Sequence, residues 1–314
     1  MITAHPVPLK DLAPPTMAYP EDPPVLLQQS HAYAKTLIAT GQLIEPFELR
    51  NHARSIGHAL IMRRRYMGGL FRLTAILRGP VWYGDISDDD KIKALRALIK
   101  RVDLKRRTAI TPLDRGTSTA LTQMGWRRVK SGESTVLIDL TEDEETIWKN
   151  MDGNWRTAIR RAKEAPFEIY LRDDPETLNW LVKQERRQQK RAGYYRGLPR
   201  GFEASYRAQN DGSSLLLLTA EHLGAVIGAT LFFIHGSTAT YHIGWSHPKG
   251  RTMNVHNHLI WTAMKRLGDR GVTTLDLAGV DTQTSPGLAR FKLGTGGHVH
   301  TFPGAFMPPL LAKF

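Results

Sequence analysis

The sequence predicts an α+β protein built from two similar modules. Its 314 residues suffice for about two domains of roughly 150 residues each. Hydrophobic residues make up 41% of the chain, enough to bury real cores, which excludes wholesale disorder. The order of periodicities also runs twice: helices, then antiparallel strands, then a helix and a strand, without a strict sequence repeat.

Residues 1–24 carry prolines at 6, 8, 14, 15, 20, 23 and 24 and read as an extended or loosely packed N-terminal arm. In "PVLLQQSHAYAKTLIATG", Leu26, Tyr33 and Leu37 recur at helical spacing and Gly41 ends the helix. "IGHALIMRRRY" and "LFRLTAILRG" read as strands, and "RGPVWYG" as a turn with a short extended piece. The segment "SDDDKIKALRALIKRVDLK" has Ser87 as N-cap, acids in its first turn and lysines at its far end, as a helix dipole favours. A strand in "RRTAITPLD", a short helix in "STALTQMGW" and a strand in "SGESTVLIDL" close the first half.

The second half opens on one long predicted helix, "DEETIWKNMDGNWRTAIRRAKEA", followed by the strand "FEIYLRD". "PETLNWLVKQERRQQKRAG" is a helix bounded by Pro175 and Gly193. Strands with turns near His222–Gly224 and Gly236–Ser237 follow in "SSLLLLTAEHLGAVIGATLFFIHGSTATYHIGWS". Then come the helix "NVHNHLIWTAMKRLGDRG", the buried-type strand "VTTLDLAGV" and a glycine-rich loop.

The net charge of +13 exceeds what solubility needs and favours a polyanionic partner. Basic runs lie in "NWRTAIRRAK", "KQERRQQKR" and "IMRRRYMGG". "KQERRQQKR" lacks the bulky apolar face of a membrane-surface helix, which points to RNA or phosphate. No apolar run of about 18 residues exists, so no stable membrane insertion is expected. The first residues lack the apolar core of a secretory signal. Cysteine is absent, which removes disulfides, thiolate catalysis and Cys-ligated zinc and fits a reducing cytoplasm. His256 and His258 in "NVHNH" are two apart, pointing to different faces of a helix, whereas zinc pairs on helices need wider spacing. His298 and His300 can share a strand face but no third ligand is in view, so no metal is expected. No GxSxG elbow occurs.

From Tyr241 to Gly297, "TYHIGWSHPKG", "NHLIWTAMKRLGDRGVTTLDLAGV" and "PGLARFKLGTGG" follow one another in order. With Trp148, Arg156, Ile159, Arg161 and Ala162, and with "RGPVW" at 78–82, they resemble the FemABX aminoacyltransferases over most of residues 25–310. The resemblance implies two GNAT-like domains, each a mixed, mostly antiparallel sheet flanked by helices. The first would be 25–141 plus 301–314, the last residues returning to complete it, and the second 142–300. It implies transfer of an amino acid from aminoacyl-tRNA, as co-substrate and without a cofactor, to an amine on a peptidoglycan precursor or another small acceptor, hence a cytoplasmic cell-wall enzyme. The family's long coiled-coil arm has no counterpart, since no charged heptad run exists.

In that chemistry an amine attacks an ester and negative charge gathers on the carbonyl oxygen. A cation there stabilises the transition state more than the ground state. The resemblance assigns this to Lys292, with Phe291 stacking on the terminal adenosine; by composition alone the pair would be a solvated lysine and a core ring. The neighbouring glycines would let RNA approach the backbone. Asp276 can hold Lys292 or the attacking ammonium, deprotonate that amine, or satisfy backbone N–H groups in a turn. Asp85 and Asp88 are weaker base candidates. Lys35 and Arg196 match family residues that contact acceptor phosphate. Arg200 stands where the family has a tyrosine and competes with Arg196. Tyr241 matches an acceptor-contacting tyrosine and is equally an ordinary sheet residue.

Two rival readings remain. An acyl-CoA-dependent GNAT enzyme would cradle pyrophosphate on a glycine loop; "RYMGGL" at 65–70 is a near miss, and "KGRTMNVHNHL" lacks the paired glycines. A catalytically silent RNA- or phosphate-binding protein is the third class.

Overall fold

The computed structural model describes residues 1–12, 24–66, 71–102, 108–193 and 197–309. The chain divides into two compact units, 1–133 with 301–314, and 134–300.

The first unit runs β1 (Ile2–Pro6), α1 (His31–Ala39), β2 (Leu43–Asn51), β3 (Arg54–Tyr66), β4 (Phe71–Leu77), β5 (Val81–Trp82), α2 (Asp88–Val102), β6 (Thr108–Thr111), α3 (Arg115–Gln123) and β7 (Arg127–Lys130). Side-chain caps set the helix starts: Ser30 accepts from the Tyr33 amide, Ser87 from Asp90 and Asp114 from Thr117. Strands β1 to β4 are antiparallel neighbours in that order, and β4 pairs with β6 in parallel. The apolar faces of α2 and α3 cover this sheet: Leu95, Leu98, Leu121 and Trp126 cluster with Leu49, Ile61, Ile76 and Ile110. Of the two alternatives for the arm, Ile2–Pro6 takes the extended one: it is an edge strand with Ala4 buried, and Pro6 is tolerated because an edge strand needs fewer amide donors. The rest of the expected arm, 13–23, lies outside the described residues.

The second unit holds β8 (Ser134–Asp139), α4 (Glu144–Asn150), α5 (Gly153–Glu164), β9 (Glu168–Arg172), α6 (Pro175–Ala192), α7 (Phe202–Gln209), β10 (Leu215–His222), β11 (Ala225–His235) and β12 (Thr238–Ser246). It continues through α8 (Pro248–Thr252), α9 (Val255–Gly268), β13 (Thr274–Val280), α10 (Pro286–Leu293) and β14 (His298–Thr301). Its strand order is β14-β8-β13-β12-β11-β10-β9. Trp155 and Ile159 of α5 and Leu259 and Met264 of α9 pack with Phe232, Tyr241 and Leu275 on one face. Phe202 and Tyr206 of α7 meet Phe233 and His242 on the other. Alternation along β12 therefore sends Tyr241 and His242 to opposite faces. The last strand, β15 (Ala305–Met307), lies between β6 and β7 of the first sheet.

The expected division at 141/142 shifts to 133/134. Ser134–Asp139 pairs antiparallel with β13, so its ladder bonds tie it to the second sheet. The predicted single helix over 143–165 is two helices. Arg156 donates to the carbonyls of Lys149 and Met151, ending α4, and the Asp152 amide donates to Gly294 O (3.0 Å), which fixes the break.

Candidate functional site

Parallel strands β12 and β13 pair only through Thr238↔Thr274, Ala239↔Leu275 and Thr240↔Asp276. Past that rung they part: β12 continues along β11 to Ser246, while β13 turns to β8. A bulge falls between Asp276 and Gly279, where Ala278 has φ 60. Asp276 Oδ1 holds it, accepting from the Ala278 amide (2.8 Å) and from the Thr135 hydroxyl. The bulge brings two successive carbonyls to one cation. Lys292 Nζ donates to Gly279 O (2.7 Å) and Ala278 O (3.4 Å).

Lys292 is only 5% exposed, which excludes a solvated surface lysine. Its ammonium lies 5.9 Å from the centre of the Tyr241 ring, and Tyr241 is the first β12 residue beyond the last shared rung. The gap widens towards solvent, with Gly279 exposed and Gly244 to Ser246 half-buried. In the first unit the parallel pair β4–β6 runs through Leu77↔Thr111, and the Gly79 amide still donates to Thr111 O (3.1 Å). That pair shows no such parting.

The chain positions Lys292 through a helix, not the expected loop. Pro286 opens α10, which runs to Leu293. Phe291 is half-buried, its ring 4.8 Å from Trp155 and 5.6 Å from His256, and its carbonyl accepts from Trp155 Nε1 (2.8 Å). The glycines that follow are required by close packing of the chain on itself, although Gly296 stays exposed. A Cβ at Gly294 would strike the Trp155 ring, one at Gly296 the Asn150 carbonyl, and one at Gly297 would stand 2.7 Å from Leu137 O.

Tyr241 exchanges a hydrogen bond with His256 Nε2 (2.7 Å), and His256 Nδ1 lies 3.1 Å from Ser246 Oγ. Burial, with Arg251 nearby, pushes the His256 imidazole down to about 4. From sequence His256 enters only as half of a metal pair. Its distance from Tyr241 along the chain hides the contact, which a helix start facing β12 creates.

Residues 149–293 match the family described as Acetyltransferase (GNAT) domain. The second unit has the GNAT fold. With both sheets taken together, this GNAT fold is shared along the chain by several solved structures. FemX aligns with TM-score 0.75 at 16% identity, over 91% of this chain and 92% of that one. The C-terminal domain of a putative lysylphosphatidylglycerol synthetase from Agrobacterium fabrum gives 0.59 at 14%, over 90% and 89%. A tandem GNAT protein from the clavulanic acid biosynthesis pathway gives 0.51 at 12%, over all of both chains. No curated protein matches the chain in sequence. The fold expected from the Fem-type resemblance, two GNAT-like α+β domains, is therefore the fold observed.

Within the GNAT domain, Lys292, Phe291, Asp276 and Tyr241 come together. Arg200 is exposed beyond α6, Lys35 is exposed on α1 of the first unit, and Arg196 lies outside the described residues. Asp88 opens α2. Of the "RYMGGL" near miss, residues 67–70 also lie outside the described residues.

Proposed function

We propose that the protein is an aminoacyltransferase that moves an amino acid from aminoacyl-tRNA to an amine, a peptidoglycan precursor peptide in the first instance. The observation that supports this most is the buried Lys292 ammonium, held by Ala278 and Gly279 carbonyls at the gap between β12 and β13. When an amine attacks an ester, the carbonyl oxygen becomes an oxyanion. A fixed cation in apolar surroundings acts on that charge far more strongly than one in water. The amine nitrogen gains the bond to the acyl carbon, the bond from that carbon to the ribose oxygen breaks with its electron pair going to oxygen, and the proton lost by the amine ends on that ribose oxygen as a hydroxyl.

The connection from β12 to α9 favours aminoacyl-tRNA over acyl-CoA as donor. A pyrophosphate cradle needs amides converging on one point. Here the amides of Arg251, Met253 and Asn254 donate to carbonyls of His247, Lys249 and Arg251 inside α8. Gly250 is packed against the Ile227 carbonyl and lends no room. The +13 charge suits a nucleic-acid donor. A structural neighbour is named for making lysylphosphatidylglycerol, an aminoacylated product. Lys35, Arg196, Arg200 and Tyr241 are assigned to the acceptor, Phe291 to the donor's terminal base and Asp276 to holding the lysine's carbonyl seat. Such a reaction belongs in the cytoplasm and needs no cofactor or metal.

The second reading is acyl-CoA-dependent N-acylation, favoured by the description of the matching family. Incubation of the pure protein with charged tRNA, acetyl-CoA and amine acceptors, with RNase added to one sample, separates the two. RNase-sensitive transfer supports the proposal, and CoA release overturns it.

A further inference from the structure

His256 touches two residues of the site, Tyr241 by hydrogen bond and Phe291 by ring contact, yet no step of the proposed reaction uses it. Its place is built. Asn254, with φ 54, turns the chain into α9 so that His256 in the first turn faces β12. Gly244 leaves the space the pair needs: a Cβ there would overlap the Tyr241 hydroxyl and stand 2.6 Å from His256 Nε2. Ser246 closes the far side of the ring.

The imidazole is neutral above about pH 4, so one nitrogen donates and the other accepts. The Tyr241 contact, 2.7 Å, has the length of an O–H donor reaching its acceptor; the Ser246 contact, 3.1 Å, suits an N–H donor. A phenol is also the more acidic of the two hydroxyls. These lengths and that acidity favour the tautomer in which Nδ1–H donates to Ser246 and Nε2 accepts the Tyr241 proton.

We propose that His256, oriented by Ser246, is a positioning residue that takes up the Tyr241 O–H and so presents the phenol oxygen as a hydrogen-bond acceptor to the attacking amine. This rests on the reading of the site as one where an amine attacks an acyl carbonyl. An amine must aim its lone pair at that carbon, so its N–H groups need acceptors. A freely rotating hydroxyl would offer its proton to the lone pair and quench it. With the proton committed to Nε2, the phenol meets the amine as an acceptor and not as a donor. Among the described residues, Arg251 on α8 and Lys292 on α10 are charged groups about the imidazole and its phenol partner.

The test is a double-mutant cycle in kcat/KM for the amine, run with whichever acyl donor the wild type turns over. His256→Phe is expected to lower it about tenfold or more with the donor KM unchanged, and His256→Gln, which keeps an acceptor, to restore most of it. In a Tyr241→Phe background His256→Phe is expected to add little. Nitrogen NMR of the wild type is expected to find the proton on Nδ1, with the Nε2 signal moved by Tyr241→Phe. Losses that multiply independently, or a proton on Nε2, overturn the positioning role. Turnover of acyl-CoA in place of aminoacyl-tRNA overturns the donor assignment and leaves this proposal standing; transfer from neither overturns both.

Discussion

At the scale of single residues, the environment of Lys292 makes a sharp prediction about the proposed reaction. The side chain is buried and seated on two carbonyls, so replacing it by methionine keeps the stem and removes the charge. Lys292→Met is expected to lower kcat by about 100- to 1000-fold, the usual cost of one oxyanion donor, with the acceptor KM little changed. Steady-state kinetics on charged tRNA checks this; intact turnover with a raised KM would assign Lys292 to binding instead. The sequence makes Lys292 and Phe291 legible as a pair but leaves open whether the lysine is solvated. Only the bulge at Ala278, which depends on the Asp276–Thr135 contact across strands, decides it. Asp276 itself takes the turn-satisfying role, one of its open alternatives. His256 and His258 do diverge as their spacing requires, His258 meeting Phe167, but a hydrogen bond between a strand and a helix fifteen positions apart has no local signature.

At the scale of elements, periodicity and caps mark most helices and strands. Ser87, Pro175 and Gly193 stand at the ends that local chemistry predicts for them. The misreadings share one cause: tertiary contacts override local pattern. Asp152-Gly153 is a turn signal inside the helical run, and the break there is held by Arg156 on the end of α4 and by the α10–β14 turn bonded to the Asp152 amide. The run Gly294 to Gly297 reads locally as freedom for a ligand, yet these glycines are required by close packing. Gly296 adds a φ of 78, where a Cβ is strained on conformation alone. Gly296→Ala is therefore expected to destabilise the second unit by about 2 kcal/mol or more, combining that strain with overlap on the Asn150 carbonyl. Gly271→Ala is the control. It shares a positive φ of 78 but meets nothing within 4 Å, so it should cost only the conformational part. Urea unfolding of the two variants measures the difference; equal losses would mean that the loop relaxes away from α4.

At the scale of the whole molecule, the repeated order of elements makes two α+β modules legible. The assignment of Ser134–Asp139 is not, because a strand's sheet is chosen by its partner and not by its own alternation. The charge is a whole-molecule property too. The excess of +13 includes Arg160, Arg161 and Lys163 exposed on α5, and Lys183, Arg186, Arg187, Lys190 and Arg191 exposed on α6. In the proposed reaction none of these has a part in the bond-making step, and their expected contribution is to encounter with a polyanion. Counterion release then makes kcat/KM for aminoacyl-tRNA fall linearly with salt on logarithmic axes between about 50 and 200 mM, while kcat at saturating tRNA changes little. Replacing Arg160 and Arg161 by glutamine is expected to flatten that slope by about 0.7–0.9 for each phosphate that is no longer neutralised. A small acyl-CoA donor spans few of these charges and would give a shallow slope that the α5 variants leave alone. The salt series therefore tests the donor without touching the catalytic gap, and a flat response in the wild type would remove the polyanion from the account.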